Sequence, residues 1–330
     1  MAIGSGLGAQ FGFATESTYG TYATVDHFIP SRSYTVDKTE TRVQGEGIAA
    51  GKFGPLGSHH ISTVNGGSGR VEFDVQQNKL GPLWQTLMGG SVVTPSNLAG
   101  TAYEAAFPLG DPYGHSLSVQ LGAPYRTGTV RPHTITGAKV ISAEFNCDVA
   151  GLLTASATFD AKTFTTGQSL ATASYATSGL FHGGQLTVSM GTYGTESSIS
   201  GVRSVSVSIE RGQDTGDYTA GSSGQKSEPV LNAYTTISGS ITADWLDTAV
   251  FQDRAHDATA QPSLVLSWVG DAITSTHYKT FQITVPGVVF TPATQGVGGV
   301  QELTNTWNWT WVYDGTNLPE IYTISTDSAL

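Results

Sequence analysis

Apolar and polar residues alternate along much of the chain with a period of two, which is typical of β-strands that bury one face. Segment 70–75 (RVEFDV) places three apolar residues on one face and Arg70, Glu72 and Asp74 on the other. The same alternation recurs in segments 139–149 (KVISAEFNCDV), 204–210 (SVSVSIE) and 303–313 (LTNTWNWTWVY). Valine, threonine and aromatic residues favour such half-buried strands, so the pattern predicts an all-β protein.

In segment 139–149, strict alternation predicts one buried face and one polar face. The residues expected on the buried face are Ile141, Ala143, Phe145, Cys147 and Val149. In segment 303–313 the large residues Trp307, Trp309, Trp311 and Tyr313 lie on one face, and a core role is expected for the three tryptophans.

Helical periodicity occurs at two points, each directly after a strand. Segment 80–90 (LGPLWQTLMGG) carries apolar residues at helical spacing and ends at two glycines. Segment 246–257 (LDTAVFQDRAHD) begins with Asp247, which is placed to cap a helix. A strand beginning Ser-Leu follows each segment, at Ser116 and at Ser263.

The shared order of elements indicates a diverged duplication. We therefore predict an extended amino-terminal arm over residues 1–30, a first β domain over 31–165, a linker over 166–180 and a second β domain over 181–330. Each domain also has a long loop, one beginning at Arg42 and the other at Arg211. Long loops without a core of their own are usually functional or ordered by a partner.

Composition narrows the class of protein. Of the 330 residues 12% are charged, against roughly 25% in an average globular protein, whereas glycine reaches 41. A hydrophobic share of 38% is too high for a disordered chain. Few charges and many small residues favour a surface that other copies of the chain cover.

Charge and cysteine content exclude several functions. The net charge of −11, with only 15 basic residues, argues against general attraction to nucleic acid. The lone Cys147 cannot form an intrachain disulfide. The amino terminus lacks the pattern of a secretory signal, and no apolar run approaches the roughly 20 residues of a membrane helix.

The motif search favours a protein that is not an enzyme and uses no metal or cofactor. The histidines lack zinc-protease spacing, and neither a nucleophile elbow nor a phosphate-binding loop occurs. A glycosidase-like pair of carboxylates from Glu144 and Asp148 or from Glu72 and Asp74 stays open, although a solvated acidic sheet face is the simpler interpretation. Sugar stacking on Trp307 and Trp309 is likewise open beside a core role.

Segment 12–30 (GFATESTYGTYATVDHFIP), followed by DKTETRVQGEGI from Asp37, resembles the start of the tail tube (major tail) proteins of long-tailed bacteriophages. The segment from Gly299 to Tyr322 is similar to the closing strands of that family. The residues that match at the start are Glu16, Ser17, Tyr19, Gly20, Thr21, Phe28 and Pro30.

This resemblance implies a tail-tube-type antiparallel β-sandwich or barrel with short flanking helices, duplicated in one chain. It implies a structural virion protein that is assembled in the host cytoplasm into stacked rings, with three chains per ring preferred and six as the alternative. The tube would deliver the genome, bind other tail proteins at its ends and pass viral DNA without sequence-specific binding. No membrane partner is implied. A carbohydrate- or surface-binding β-sandwich module is the alternative function.

The resemblance also suggests which residues serve the tube. The candidates for facing its lumen are Glu72, Asp74, Glu144, Asp148, Glu210 and Asp244. The candidates for contacts between subunits or rings are Tyr19, Phe28, Phe53, His59, Asp214, Tyr218 and Tyr234.

Overall fold

The computed structural model describes residues 4–245, 250–257, 259, 261–292 and 303–330. Nearly all regular structure in these residues is β, which confirms the predicted class. The predicted start of the second helix, Leu246 and Asp247, lies outside the described residues.

The strands of the first half all precede residue 166. They are β1 (Gln10–Thr15), β2 (His27–Phe28), β3 (Ser31–Gln44), β4 (His60–Asp74), β5 (Ser96–Ala99), β6 (Ala102–Pro108), β7 (Leu117–Pro124), β8 (Val130–Asp148), β9 (Thr154–Ala161) and β10 (Thr163–Thr165). Helix α1 (Gly81–Met88) lies between β4 and β5.

The strands of the second half begin after the connecting segment. They are β11 (Leu186–Gly191), β12 (Ser197–Ile199), β13 (Val202–Glu210), β14 (Thr236–Asp244), β15 (Ser263–Ala272), β16 (Tyr278–Val285), β17 (Val288–Phe290), β18 (Thr304–Trp311) and β19 (Glu320–Ser325). Helix α2 (Gln252–His256) precedes β15. Short 3₁₀ turns occur at Gly6–Gly8, Gly57–His59 and Gly183–Gln185.

Eight antiparallel strands form one continuous sheet, which we call the long sheet. Its order is β3-β4-β9-β8-β13-β14-β18-β17, so four strands of the first half adjoin four of the second. The junction is the pairing of β8 with β13, from Ser142 opposite Glu210 to Asp148 opposite Ser204. Among the described residues, β3 and β17 are the open edges of this sheet.

Two further groups of strands cover the inner face of the long sheet. The amino-terminal part of β8 leaves the long sheet and pairs with β7, which continues into β1 and β2. A second sheet has the order β12-β11-β15-β16-β19-β6-β5 and therefore contains the β5–β6 hairpin of the first half. The halves are thus paired twice, through β8–β13 and through β6–β19.

An aromatic core fills the space between these layers. The ring of Trp84 on α1 lies 5.5 Å from Phe145 of the long sheet and 5.4 Å from Phe281 of the second sheet. Helix α1 sits in this core because Leu83, Trp84 and Leu87 are all buried. It ends at Gly89, whose φ of 72° is a backbone conformation that favours glycine. The first predicted helix is therefore confirmed.

Residues 10–30 are an integral part of the fold and do not extend away from it as an arm. Strand β1 pairs with β7 along its full length, from Gln10 to Thr15. Phe11, Phe13 and Ile29 are at most 1% exposed. The short Phe-Gly-Phe alternation supplies two core aromatics, and burial of such side chains is worth several kcal/mol. The predicted linker also contacts the first half, since Gln120 accepts from the amide of Ala171.

A β-bulge in β8 changes the expected alternation. The register between β8 and β9 shifts between Val140 and Ser142. Side chains of β8 before the bulge therefore alternate out of phase with those after it. Val140 and Ala143 are both buried, Ile141 is only half-buried, and Val149 is 60% exposed beyond the strand end. Strict alternation was therefore wrong for Ile141 and Val149 and correct for Ala143, Phe145 and Cys147.

No helix among the described residues has the length and apolar character needed to cross a bilayer.

Candidate functional site

The outer face of the long sheet, which we call the polar face, is covered by hydroxyl and charged side chains. One row crosses it through directly opposed residues of neighbouring strands. The row runs Glu72, Ser156, Glu144, Ser208, Ser238 and Thr310. Opposed residues in antiparallel strands share a face, so these side chains lie on the side opposite the core.

Register brings all six predicted lumen candidates onto the polar face. Glu144 and Asp148 lie in β8, with Asp148 opposite Ser204 and Ser142 opposite Glu210. Residues two apart in a strand share a face, so Asp74 lies on the same face as Glu72, and Asp244 on the same face as Thr242, which is opposite Ser204. Each acid alternates with buried residues such as Val71, Phe73 and Ala243. Whether this face lines a channel stays a prediction.

Three arginines partly neutralise the acids. Arg32 contacts Asp74 at 2.7 Å, and Arg70 lies 3.5 Å from both Glu72 and Glu144. Arg203 pairs with Asp244. Exposed pairs of this kind contribute roughly 0–1 kcal/mol each. Among the described residues Asp148 and Glu210 make no ion pair, so the polar face keeps an excess of negative charge.

Hydroxyl groups on this face satisfy one another. The hydroxyls of Ser206 and Ser240 are 2.8 Å apart, as are those of Thr242 and Thr306. A shallow concavity extends over β8, β13, β14 and β18 and includes Glu144, Asn146 and Asn308. Such a surface offers neither a large apolar area nor clustered cations, so it has little to hold a passing anionic polymer.

The geometry gives little support to the alternative chemistries. Trp307 and Trp309 are 2% and 1% exposed, so they belong to the core and are not available for stacking on a sugar. Within the described ranges no group of three or more histidine, cysteine or acidic residues could hold a metal ion.

The predicted contact residues fall into three groups. Phe53 and Tyr234 are almost fully exposed and His59 is exposed. Phe28 is buried against Tyr175, with ring centroids 6.2 Å apart. Tyr19, Asp214 and Tyr218 are half-buried in a contact within the chain itself.

That contact is made by residues 211–235, which we call the folded loop. This loop connects β13 to β14 and folds back onto the first half. Glu228 pairs with the buried Lys139 and accepts from the amide of Gly114 at 2.6 Å. Lys226 donates to Asp160 at 2.5 Å, and the Tyr19 hydroxyl donates to the carbonyl of Ser227.

Burial dominates the electrostatics of this contact. It lowers the pKa of the Lys139 ammonium, although Glu228 opposes the shift, and it raises the pKa of Asp160, which Lys226 opposes. At the base of the loop burial lowers the pKa of Arg211 to about 10. Sequence analysis missed Lys139, Asp160, Lys226 and Glu228. Their pairing joins residues far apart in the chain, and no local pattern marks it.

A second buried carboxylate lies beside this contact. Glu16 is 4% exposed and accepts hydrogen bonds from Ser116 and Ser118 and from the amides of Gly20 and Gly137. Its carboxylate therefore ties β1, β7 and β8 together. Gly137 has a φ of 66°.

The loop of the first half behaves differently. Residues 40–65 continue the β3–β4 hairpin away from the body of the chain. From here on we call these residues the arm; they are distinct from the amino-terminal arm predicted over residues 1–30. Ile48 and Phe53 near its tip are fully exposed, at 103% and 109%. The tip of the arm therefore presents two large apolar side chains that no other described part of the chain covers.

A family profile described as phage tail tube protein matches residues 6–310. No curated protein matches the chain.

Proposed function

The chain belongs to the phage tail tube protein family, and from this premise we propose that it polymerises into stacked rings whose central channel conducts the viral genome. A tail tube protein is a structural component of the virion tail. The observation that carries the proposal is the long sheet, which combines one polar, acidic face with two open edges. Unpaired sheet edges are templates for pairing with another chain.

We also propose that the chain contains two copies of one fold, over residues 31–165 and 181–330, with β1 belonging to the first. In the long sheet β3 and β13 are the first strands of each set of four, and β8 and β17 are the last. The sets are joined head to tail, β8 to β13. Repeating this junction between chains would bring the β17 edge of one chain to the β3 edge of the next. Such heterologous contacts close into a ring when the rotation permits.

A ring of three chains then supplies six copies of the fold, and its inner wall is the polar face. Glu72, Asp74, Glu144, Asp148, Glu210 and Asp244 would face the DNA. Their charge would repel phosphate, so that the genome slides without releasing counterions and without sequence-specific contacts. Assembly in the host cytoplasm, with other tail proteins binding at the tube ends, completes this proposal.

Electron microscopy of the purified protein, alone and with tail initiator proteins, tests it. We expect hollow tubes whose end-on views have three chains per ring. Six chains per ring would retain the tube and reject the duplicated fold. A protein that stays monomeric with initiators present would contradict the proposed function.

A further inference from the structure

The arm and the folded loop occupy corresponding places in the two halves. The arm connects β3 to β4, and the folded loop connects β13 to β14. The second strands of both hairpins end at an acid, Asp74 and Asp244, opposite Thr154 and Thr304 of the next strand. Counted back along the chain from Asp74 and from Asp244, the arm and the folded loop begin and end at nearly the same positions. The folded loop docks on the first half, and its Gly224 accepts from the amide of Asn65 at the base of the arm. Within the described residues, no hydrogen bond joins the arm tip, residues 45–59, to a part of the chain outside the arm.

The landing site of the folded loop is a small group of residues on the first half. Glu228 docks at Gly114, beside Ser116, whose hydroxyl donates to Glu16. The amide of Gly137 donates to the same carboxylate of Glu16 at 2.9 Å.

The second half has a corresponding group, and it lines an open groove. Ser263 and Ser116 both begin Ser-Leu strands; Gly287 and Gly137 both have positive φ, 71° and 66°. Gly191 takes the place of Glu16 in this comparison. It lies opposite Ser263 in the strand pair, and the amide of Glu16 donates to the carbonyl of Ser116. Gly191, Gln261, Ser263 and Gly287 line the groove together with Tyr193 and Arg254.

Ser263 lacks the hydrogen-bond partner that its counterpart Ser116 has, and Arg254 in the same groove is unpaired among the described residues. The Ser263 side chain is 2% exposed, and its hydroxyl has no hydrogen-bond partner in the part of the chain that the structure describes. Ser116 donates to Glu16, whereas Gly191 offers no carboxylate. Arg254 forms no ion pair with any described residue and is only half-exposed. Asp314 also lines the groove, and its carboxylate accepts from the amides of Thr316 and Asn317 in its own turn. Arg254 is the one lysine or arginine among the described lining residues, and its guanidinium is complementary to an incoming carboxylate.

The arm carries such a group. Within its tip, residues 45–59, Glu46 is the sole acid and is exposed. The exposed Ile48 and Phe53 accompany it and would cover the side chains of Tyr193 and Pro262 in the groove.

We propose that the arm of one protomer docks in this groove on the second half of the lateral neighbour in the same ring, with Glu46 paired to Arg254. This inference rests on the proposed duplication and ring. The folded loop of the second half docks on the first half of the same chain. In the proposed ring, the arm of the first half would dock in the same way on the second half of the neighbouring chain. The lateral direction follows, because both halves of a chain lie in one ring.

Disulfide cross-linking tests the contact. A variant with Phe53→Cys is mixed with a variant with Tyr193→Cys, and the single double-cysteine variant is assembled separately. We expect a heterodimer from the mixture and covalent products from the double variant that stop at the number of chains in one ring. The control replaces Tyr193→Cys by Tyr125→Cys, since Tyr125 is similarly exposed and lies on the first half. Cys147 is buried and remains in all variants.

A charge exchange provides the second readout. Arg254→Glu and Glu46→Arg should each weaken self-association about tenfold, and the double variant should recover most of it. Arg126→Glu, at an exposed arginine outside the groove, should leave association unchanged.

The outcomes separate this inference from the proposed function. Tubes seen by microscopy without arm-to-groove cross-links would overturn the inference alone, whereas cross-links without tubes would support it and count against the tube. Absence of cross-links in every sample also overturns it. A covalent ladder that continues past one ring would reassign the arm to the adjacent ring and reject the lateral contact.

Discussion

At the scale of single residues, the chain concentrates its buried charges where its two halves meet. Lys139, Asp160, Lys226 and Glu228 are all largely removed from water and form two ion pairs. A buried pair adds little net stability over an apolar pair of the same shape, but loss of one partner leaves an uncompensated charge. These residues therefore hold the folded loop in one position on the first half.

Lys226→Met should destabilise the chain by about 3 kcal/mol at pH 7, because it leaves Asp160 buried without its cation. Burial raises the folded-state pKa of Asp160 above its unfolded value. The folded state then binds the proton more readily, so the loss should shrink as the pH falls through that folded-state pKa and be smallest below the unfolded one. Urea unfolding at pH 7 and pH 5 measures this.

Lys38→Met is the matched control, since Lys38 is exposed and its partner Glu40 keeps its ion pair with Arg42. It should change the free energy of unfolding by less than about 0.5 kcal/mol at either pH. The double variant Asp160→Asn with Lys226→Met should regain part of the lost stability. A loss that is the same at both pH values would argue against a charged, unpaired Asp160.

At the scale of elements, sequence pattern predicted the strands with regular alternation and missed those whose partners are distant. Strands β4 and β13 follow the period of two, and α1 follows the helical period. The bulge at Ile141 interrupts the period, so alternation failed there. Phe11 and Phe13 belong to the core because β1 pairs with β7, about a hundred residues further along the chain. Strand β1 itself is too short for its alternation to predict a strand. The β5–β6 hairpin was missed for the same reason, because its partner is β19.

Replacement of residues 45–59 by Asn-Gly should leave the chain as stable as before and abolish tube growth. The tip is exposed and Gln44 lies opposite His60, which a two-residue turn can join. We expect the free energy of unfolding to stay within about 0.5 kcal/mol. Circular dichroism and electron microscopy measure the two effects.

The equivalent shortening of the folded loop is the control. A Gly-Ser linker in place of residues 214–230 removes Lys226 and Glu228 and should destabilise the chain by several kcal/mol. If tubes of normal length grow after the arm is shortened, the arm has no part in assembly.

At the scale of the whole molecule, the excess of acidic residues is organised by the register of the long sheet. The sequence predicted the six acids as a set, because each alternates with apolar residues in its own strand. It could not predict that Glu72 and Glu144 flank the same Ser156, since that requires the pairing of β4, β9 and β8. Nor did it predict Arg70 between them. The polar face is a property of the assembled sheet.

Reversal of charge on this face, with Asp148→Lys and Glu210→Lys, should leave folding intact because both side chains are exposed. Assembled tubes should then retain double-stranded DNA at low salt and release it as salt rises, with a steeper salt dependence than wild-type tubes. Filter binding at several salt concentrations measures the retention.

Asp253→Lys provides the control, since Asp253 is an exposed acid on α2, which packs on the core side of the long sheet, where Phe251 stacks on Trp307. It should leave DNA retention in the tube unchanged. Equal retention by both variants would show that the polar face does not meet the DNA.

The two separate pairings between the halves have a mechanical consequence. Because β8–β13 joins them in one layer and β6–β19 joins them in the other, neither half can swing about the other without breaking strand pairs in both layers at once. Each protomer is therefore expected to behave as one rigid body. In the proposed tube, bending of the tail under load would then be taken up between protomers, and the contacts between successive rings would be the most flexible ones.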